Sequence, residues 1–276
     1  MEADEAEAIF DEFAGAYRDW WGPLIAPAAV RVLDDLEART PGERFDLLDI
    51  GTGTGVLAAA ALQRWPGAQV VGIDPSGRML ELAEDAARGV SPSGSGRLRT
   101  IVASADRIPA ANASFDAAVS SFVIQLVPSR AAALREILRV LRPGATFACI
   151  TWQTDDPAFE PDEAFVDALD ALEISSPSDD RDIHPYTSPR SAADEFRRAG
   201  FRAVRASRDW LEHRFTPESY LLLLEHWIDR ELFAGLDATT REKLRAEALS
   251  RMRRLRADEF IWRRPLVRVV ASKPPG

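Results

Sequence analysis

Three alternating glycines and one downstream acid are the residues of this sequence whose spacing could bind a ligand. Gly51, Gly53 and Gly55 follow a mostly apolar run at 47–50 and precede an alanine-rich helical pattern. Glycines let a ligand approach the backbone closely, and the free N–H groups at a helix start attract carboxylates or phosphates. Asp74 stands nineteen positions after Gly55, where a carboxylate can accept hydrogen bonds from both hydroxyls of a ribose. The pattern therefore predicts a nucleoside-containing ligand.

The glycine spacing separates the classes of nucleotide-binding turn. A dinucleotide fingerprint places its third glycine three residues after the second, but position 56 is Val56. The Lys and Ser or Thr that follow the turn of a P-loop are absent as well. The spacing disfavours a nicotinamide cofactor. A nicotinamide-dependent oxidoreductase nevertheless shares the turn and the acid, so it stays an alternative.

Composition limits the partners and the compartment. The 276 residues carry a net charge of -10, whereas a dedicated nucleic-acid binder needs a surplus of Lys and Arg. No apolar run approaches the ~18 residues that a membrane span needs. The acidic start does not resemble a signal peptide, and a single cysteine permits no disulfide framework. We expect a cytoplasmic protein that binds neither nucleic acid nor a membrane. Its oligomeric state is not predicted.

Short apolar runs alternate with helical stretches over 45–152, which predicts a parallel sheet covered by helices on both faces. Ser129 is expected to cap a helix that runs through Leu141 and is terminated by Pro143-Gly144, and Gly22-Pro23 is expected to break the N-terminal helix. We predict strands at 45–50, 69–74, 98–102, 115–120, 145–152, 201–210 and 265–272. We predict one domain, with cap helices at 1–40, a cofactor-binding core at 41–152, an insertion at 153–190, and a C-terminal part at 191–276 that carries cap helices at about 213–257.

Four segments of the core resemble the class I S-adenosylmethionine-dependent methyltransferases, in particular the bacterial small-molecule family. They match in order and spacing, and they are 47–55, 71–80, 108–116 and 134–144. The resemblance implies an α/β fold: a doubly wound, Rossmann-like, seven-stranded and mostly parallel sheet, with an antiparallel last strand and a helical cap. It also implies S-adenosylmethionine as cofactor and a small molecule as acceptor.

The resemblance assigns the cofactor-binding residues. Gly51, Thr52 and Gly53 would meet the methionine end, and Asp74 would hold the ribose. The family usually has an Asp-Ala pair at the adenine, where this chain has Ser104-Ala105, so Ser104 or Asp106 would accept the hydrogen bond. The remaining residues assigned to the cofactor are Gly55, Pro75, Met79, Ala105 and Ser121.

Catalysis needs little from the protein in this reaction class. Holding the acceptor atom in line with the methyl group can supply much of the rate, so a base is optional. The candidates are Tyr17 as a lid residue, His184 in the insertion and Asp155 after the fifth strand. Each also has a plainer interpretation, as packing or as a polar loop. The histidine that many family members carry after strand four is replaced by Gln125, and no metal site is predicted. A non-catalytic S-adenosylmethionine-binding protein therefore stays an alternative.

The predicted cap is aromatic and charged. Its aromatic side chains favour a hydrophobic or aromatic acceptor; they are Phe13, Tyr17, Trp20, Trp21, Tyr220 and Trp227. Residues 1–19 hold seven acids against one arginine, whereas 241–256 hold seven basic residues against two acids. Because opposite charges attract at long range, we hypothesise that these two helices lie near each other as parts of one lid over the cofactor.

Overall fold

The structure is a computed structural model. It describes residues 3–37, 44–90, 96–154, 157–175 and 184–276, with only the backbone of 3–9 and 37. The predicted candidate Asp155 lies outside these residues. Among the described residues, no helix is both long and apolar enough to cross a bilayer.

Seven strands of the described chain form one sheet in the order β3-β2-β1-β4-β5-β7-β6. Strands β1 to β5 pair in parallel, and β7 is antiparallel to both of its neighbours. The predicted fold class, with its antiparallel last strand, is confirmed. The strands are β1 (Phe45–Ile50), β2 (Ala68–Asp74), β3 (Leu98–Val102), β4 (Phe115–Ser121), β5 (Leu141–Trp152), β6 (Arg202–Arg214) and β7 (Ile261–Ser272).

Helices cover both faces of the sheet, so its central strands are mostly apolar rather than alternating. Leu47, Leu48 and Ile50 of β1 are fully buried, and burying each such side chain stabilises the fold by about 1.5–3 kcal/mol. The α-helices of the described chain are α1 (Ala3–Ala16), α2 (Gly22–Ala29), α3 (Asp34–Glu37), α4 (Val56–Arg64), α5 (Gly77–Val90), α6 (Arg130–Val140), α7 (Glu160–Ala171), α8 (Pro189–Ala199), α9 (Pro217–Leu223), α10 (Arg230–Gly235) and α11 (Ala238–Met252).

The predicted break at Gly22-Pro23 is wrong. A five-residue π-helical turn, Tyr17–Trp21, joins α1 directly to α2, and we call it the first π turn. The Gly22 N–H donates to the Tyr17 carbonyl across this turn, and Pro23 follows it with a fixed φ that suits a helix. The aromatic residues of the turn therefore belong to one helical segment that crosses the end of the sheet.

The helix predicted from Ser129 through Leu141 is confirmed within one residue, but the fifth strand begins four residues earlier than predicted. Helix α6 ends at Val140, and Pro143-Gly144 lies within β5. The register of β4 against β5 shifts between Phe115 and Ala117, so a bulge accommodates these two residues.

Strands β6 and β7 pair from Arg202 to Arg214 and are joined by a long connection, 215–260. This connection contains α9, α10 and α11, together with a second π-helical turn, Leu224–Ile228, which we call the second π turn. The two π turns pack against each other. They form the aromatic part of the predicted cap.

The basic helix α11 packs mainly against α7 and α9. Its arginines pair with acids from these neighbours, as in the Arg251–Asp167 contact of 3.5 Å and the Arg253–Glu218 contact of 2.8 Å. The N-terminal helix packs on α5 instead. The described contacts thus pair basic residues of and next to α11 with acids of α7 and α9, and they do not support the hypothesis of a lid formed by α1 and α11 together.

Candidate active site

The glycine turn connects β1 to α4 at the carboxyl edge of the sheet. A Cβ at Gly51 would lie 2.2 Å from Val123, and one at Gly55 would lie 2.6 Å from the Cα of Ala83. A Cβ at Gly53, in contrast, would meet no heavy atom closer than 4.0 Å. Packing therefore requires the first and third glycines, whereas the second faces open space.

A small cavity of about 30 Å³ lies between this turn and the N-terminal helices. It brings together five of the residues predicted from the sequence. Seven predicted cofactor residues lie outside its lining: Gly55, Asp74, Pro75, Met79, Ser104, Ala105 and Asp106. Apolar residues of α2 form the opposite wall. The lining residues are Tyr17, Gly22, Ile25, Ala26, Ala29, Gly51, Thr52, Gly53, Thr54, Val56, Leu57 and Ser121.

Asp74 ends β2 beside the glycine turn. One carboxylate oxygen accepts the Gly53 N–H at 2.9 Å, and the other accepts the Ser76 N–H at 3.0 Å. The side chain is buried, and this desolvation raises the pKa of Asp74 to about 6. The carboxylate is therefore fixed in place and retains lone pairs for further donors.

A second buried acid, Asp49, lies beneath the turn. It accepts a hydrogen bond of 2.7 Å from the Thr52 hydroxyl, and burial raises the pKa of Asp49 to about 7. Asp49 is not among the site residues predicted from the sequence. The feature that marks it is an acid inside the apolar run of a strand that is buried on both faces.

Helix α1 is attached to the start of α5 by Asp11. This carboxylate accepts hydrogen bonds from the Ser76 hydroxyl, at 2.5 Å, and from the Arg78 N–H, at 3.0 Å. Met79 is buried against Ala14 of α1. Since the Ser76 N–H also donates to Asp74, the N-terminal helix is linked to the acid of the site through one serine.

The predicted adenine-binding residues lie in the loop after β3. Ser104 is half-buried, Ala105 is buried and Asp106 is exposed. Pro75, on the neighbouring strand end, is half-buried. Val102 pairs with Asp74 across β2 and β3, and its side chain is 58% exposed. This exposed apolar residue beside Asp74 was expected to be an ordinary strand residue.

Aromatic rings of the cap lie beside the cavity and connect it to β5. Tyr17 contacts Trp227 edge-on at 5.5 Å, and Trp21 stacks on Trp227 at 5.9 Å, so the two π turns meet through their rings. Trp21 also contacts Trp152 at 6.1 Å, and Phe122 contacts Trp152 at 4.6 Å between ring centroids. The rings of Tyr17, Trp227, Trp21, Trp152 and Phe122 form a continuous apolar surface, which we call the ring wall.

The catalytic candidates differ in their surroundings. Tyr17 lines the cavity, and burial raises the pKa of its hydroxyl, so Tyr17 stays protonated at neutral pH. His184 is exposed and does not line the cavity. Its backbone N–H donates to the backbone carbonyl of Gln125 at 2.9 Å. The other two histidines contact rings, His226 that of Trp20 and His213 that of Phe215.

We expect ligand affinity at this site to depend on the protonation of Asp74. A ribose that donates two hydrogen bonds needs the ionised carboxylate, and below pH about 6 the free protein must first lose a proton. The affinity for a nucleoside ligand should therefore fall by about tenfold per pH unit as the pH drops below this value. Titration calorimetry with S-adenosylhomocysteine across this range measures the slope. Asp49 titrates nearby, so Asp74→Asn is the control: a slope that persists in this variant would assign the effect to another group.

A parallel sheet with a glycine turn after its first strand and an acid after its second defines a nucleoside-binding α/β protein. Residues 48–149 match the family model of the methyltransferase domain. Nocamycin O-methyltransferase of Saccharothrix syringae is 34% identical over 234 residues, which are 79% of this chain and 80% of that protein.

Two further comparisons agree with this match. The ubiquinone/menaquinone biosynthesis C-methyltransferase UbiE of Geotalea daltonii is 37% identical over 109 residues, which cover 39% of this chain and 46% of that protein. A solved S-adenosylmethionine-dependent methyltransferase of Thermotoga maritima shares the fold, with a TM-score of 0.55 and 18% identity, over 96% of this chain and 99% of that one. The chain belongs to the class I S-adenosylmethionine-dependent methyltransferases. This membership decides against the nicotinamide-dependent oxidoreductase and the non-catalytic binding protein.

Proposed function

We propose that this enzyme methylates a small, apolar or aromatic acceptor that lies against the ring wall beside the glycine turn. The observation that carries the proposal is the continuous contact of Trp227, Trp21, Trp152 and Phe122 next to the cavity. Flat apolar rings gain contact area and favourable ring geometry from such a wall. A charged acceptor would lose its hydration there without compensation.

The cofactor fits the residues that are present. The open space over Gly53 would admit the methionine end, and the fixed carboxylate of Asp74 would accept the ribose hydroxyls. Gly51, Thr52 and Ser121 complete this cradle in the cavity. The solvent-exposed Val102 and half-buried Pro75, at the ends of β3 and β2, offer apolar surface for the adenine. When bound, S-adenosylmethionine supplies a methyl group on a positively charged sulfur.

The chain's own part in the reaction is to exclude water and to orient the acceptor. Tyr17 closes the cavity from the side of α1, and its protonated hydroxyl can donate a hydrogen bond rather than remove a proton. Gln125 cannot accept a proton at neutral pH. Orientation is therefore proposed as the main source of rate, because it converts a bimolecular encounter into a positioned contact.

Methyl-labelled S-adenosylmethionine tests this proposal with a matched acceptor panel. We expect label in 2-naphthol and catechol, and little in decahydro-2-naphthol or glycine. The variant Trp152→Leu should lower kcat/KM for the aromatic acceptor by about tenfold or more, because it removes one side of the wall. Trp65→Leu is the matched control, since Trp65 packs on Phe45 rather than on the wall. Label that enters only the charged or the saturated members would contradict the proposal.

A further inference from the structure

Two buried polar side chains hold the turn that follows β4. Phe122, in this turn, has φ +58°, a left-handed conformation that residues other than glycine rarely adopt. Such conformations persist only where the surrounding structure enforces them, and they cluster at functional sites. Ser121, the residue before it, lines the cavity. The unusual backbone therefore lies directly beside the site.

Hydrogen bonds on both sides of Phe122 enforce this conformation. Its N–H donates to the carbonyl of Ile150 at 2.8 Å, and its carbonyl accepts a hydrogen bond from the Gln125 side-chain amide. The Thr151 hydroxyl in turn donates to the amide oxygen of Gln125. Gln125 is 3% exposed and Thr151 is fully buried. Both polar ends of the Gln125 amide are thus occupied by partners within the protein.

The conformation of this turn sets the direction of an aromatic ring. The Phe122 ring meets Trp152 at 4.6 Å with an interplanar angle of 41°. Trp152 follows Thr151 directly in β5, so the same two strand ends carry the rings and the hydrogen bonds that hold them. A rotation of the Phe122 backbone would move its ring out of the wall.

We propose that Gln125 and Thr151 are positioning residues for the acceptor. Their hydrogen bonds fix the backbone of Phe122 and so hold its ring, with that of Trp152, where the acceptor lies. This inference rests on the acceptor site proposed above. Gln125 acts here through geometry, because its amide is occupied on both sides and transfers no proton.

Kinetics with the aromatic acceptor of the panel separates positioning from general damage. In Gln125→Leu and Thr151→Val, we expect the KM for 2-naphthol to rise and kcat to fall, so that kcat/KM drops by about tenfold or more. The dissociation constant for S-adenosylhomocysteine should stay within about twofold, because the glycine turn and Asp74 are untouched. Thr151→Ser keeps the hydroxyl and should restore the wild-type kcat/KM. If the affinity for 2-naphthol and the affinity for S-adenosylhomocysteine fell by equal factors, the variants would be structurally damaged and the inference would be overturned.

A second measurement does not depend on any acceptor. In protein labelled with 5-fluorotryptophan, the ¹⁹F resonance of Trp152 should move in Gln125→Leu and Thr151→Val and return in Thr151→Ser. The resonance of Trp65 should stay in place in all three. An unmoved Trp152 resonance, or a moved resonance with an unchanged kcat/KM, overturns the inference. Failure of the proposed function would appear differently, as a wild-type enzyme that labels no aromatic acceptor.

Discussion

Asp74→Ala is expected to lower the affinity for S-adenosylhomocysteine by about 100-fold or more. The carboxylate is buried beside the glycine turn and is held by the N–H groups of Gly53 and Ser76. Two hydrogen bonds from a ribose to a charged group contribute on the order of 3 kcal/mol together, which corresponds to this factor. The fold should survive, because the freed Gly53 N–H borders the cavity, where water can replace the carboxylate. Titration calorimetry measures the affinity, and thermal unfolding checks the fold.

Two variants sharpen this experiment. Asp74→Asn keeps one acceptor oxygen, so we expect an affinity between those of the wild type and Asp74→Ala. Asp46→Ala removes an acid at the opposite edge of the same sheet, where Asp46 pairs with Arg142 at 3.1 Å, and should leave the affinity unchanged. Wild-type affinity in Asp74→Ala would refute the proposed role of this acid.

Gly55→Ala is expected to destabilise the protein by about 2–5 kcal/mol. Gly55 has φ +84°, and a Cβ there would lie 2.6 Å from the Cα of Ala83 in α5. The left-handed conformation costs an alanine about 1–2 kcal/mol, and forcing apart two packed helices costs about 1–3 kcal/mol more. Unfolding in urea measures the difference.

Gly89→Ala, in the helix α5 that Gly55 approaches, is the matched control. A Cβ at Gly89 meets nothing within 4 Å, and alanine is the better residue inside a helix, so we expect a gain of about 0.5–1 kcal/mol. If Gly55→Ala unfolded at the same urea concentration as the wild type, the close approach of α4 and α5 at this glycine would be disproved.

The sheet could be predicted from the sequence because its central strands are buried on both faces. Their apolar runs over 45–152 are continuous, and turn residues separate them. The pattern fails where burial is one-sided or where helices are joined without a gap. Strand β6 is mostly exposed and extends four residues beyond its predicted end. The first π turn joins α1 to α2 without a loop, so Gly22-Pro23 lies inside one helical segment. The composition of the sequence does not mark such a turn.

The site was predictable only where its chemistry is local in sequence. The glycine turn and Asp74 lie on consecutive strands, and their types and spacing suffice. The contact of Asp11 with Ser76 spans 65 positions, and that of Gln125 with Thr151 spans 26. Such pairs depend on how helices and strands pack, which no local pattern encodes. The sequence indicated only that Gln125 replaces a histidine, whereas the structure shows the hydrogen bonds that its side-chain amide makes.

The pairing of β6 with β7 bears on how acceptor preference could change. The connection 215–260 begins and ends at the paired residues Arg214 and Ile261, whose Cα atoms in an antiparallel ladder lie about 5 Å apart. The residues between them, including the second π turn, form one insertion in the β6–β7 hairpin. The length of this insertion does not alter the register of the two strands, so the insertion can be replaced as a unit. Lengthening such a segment costs little, because closure entropy grows slowly with loop length. Exchanging this segment between relatives should therefore exchange the second π turn beside the proposed acceptor site and leave the cofactor-binding edge of the sheet intact.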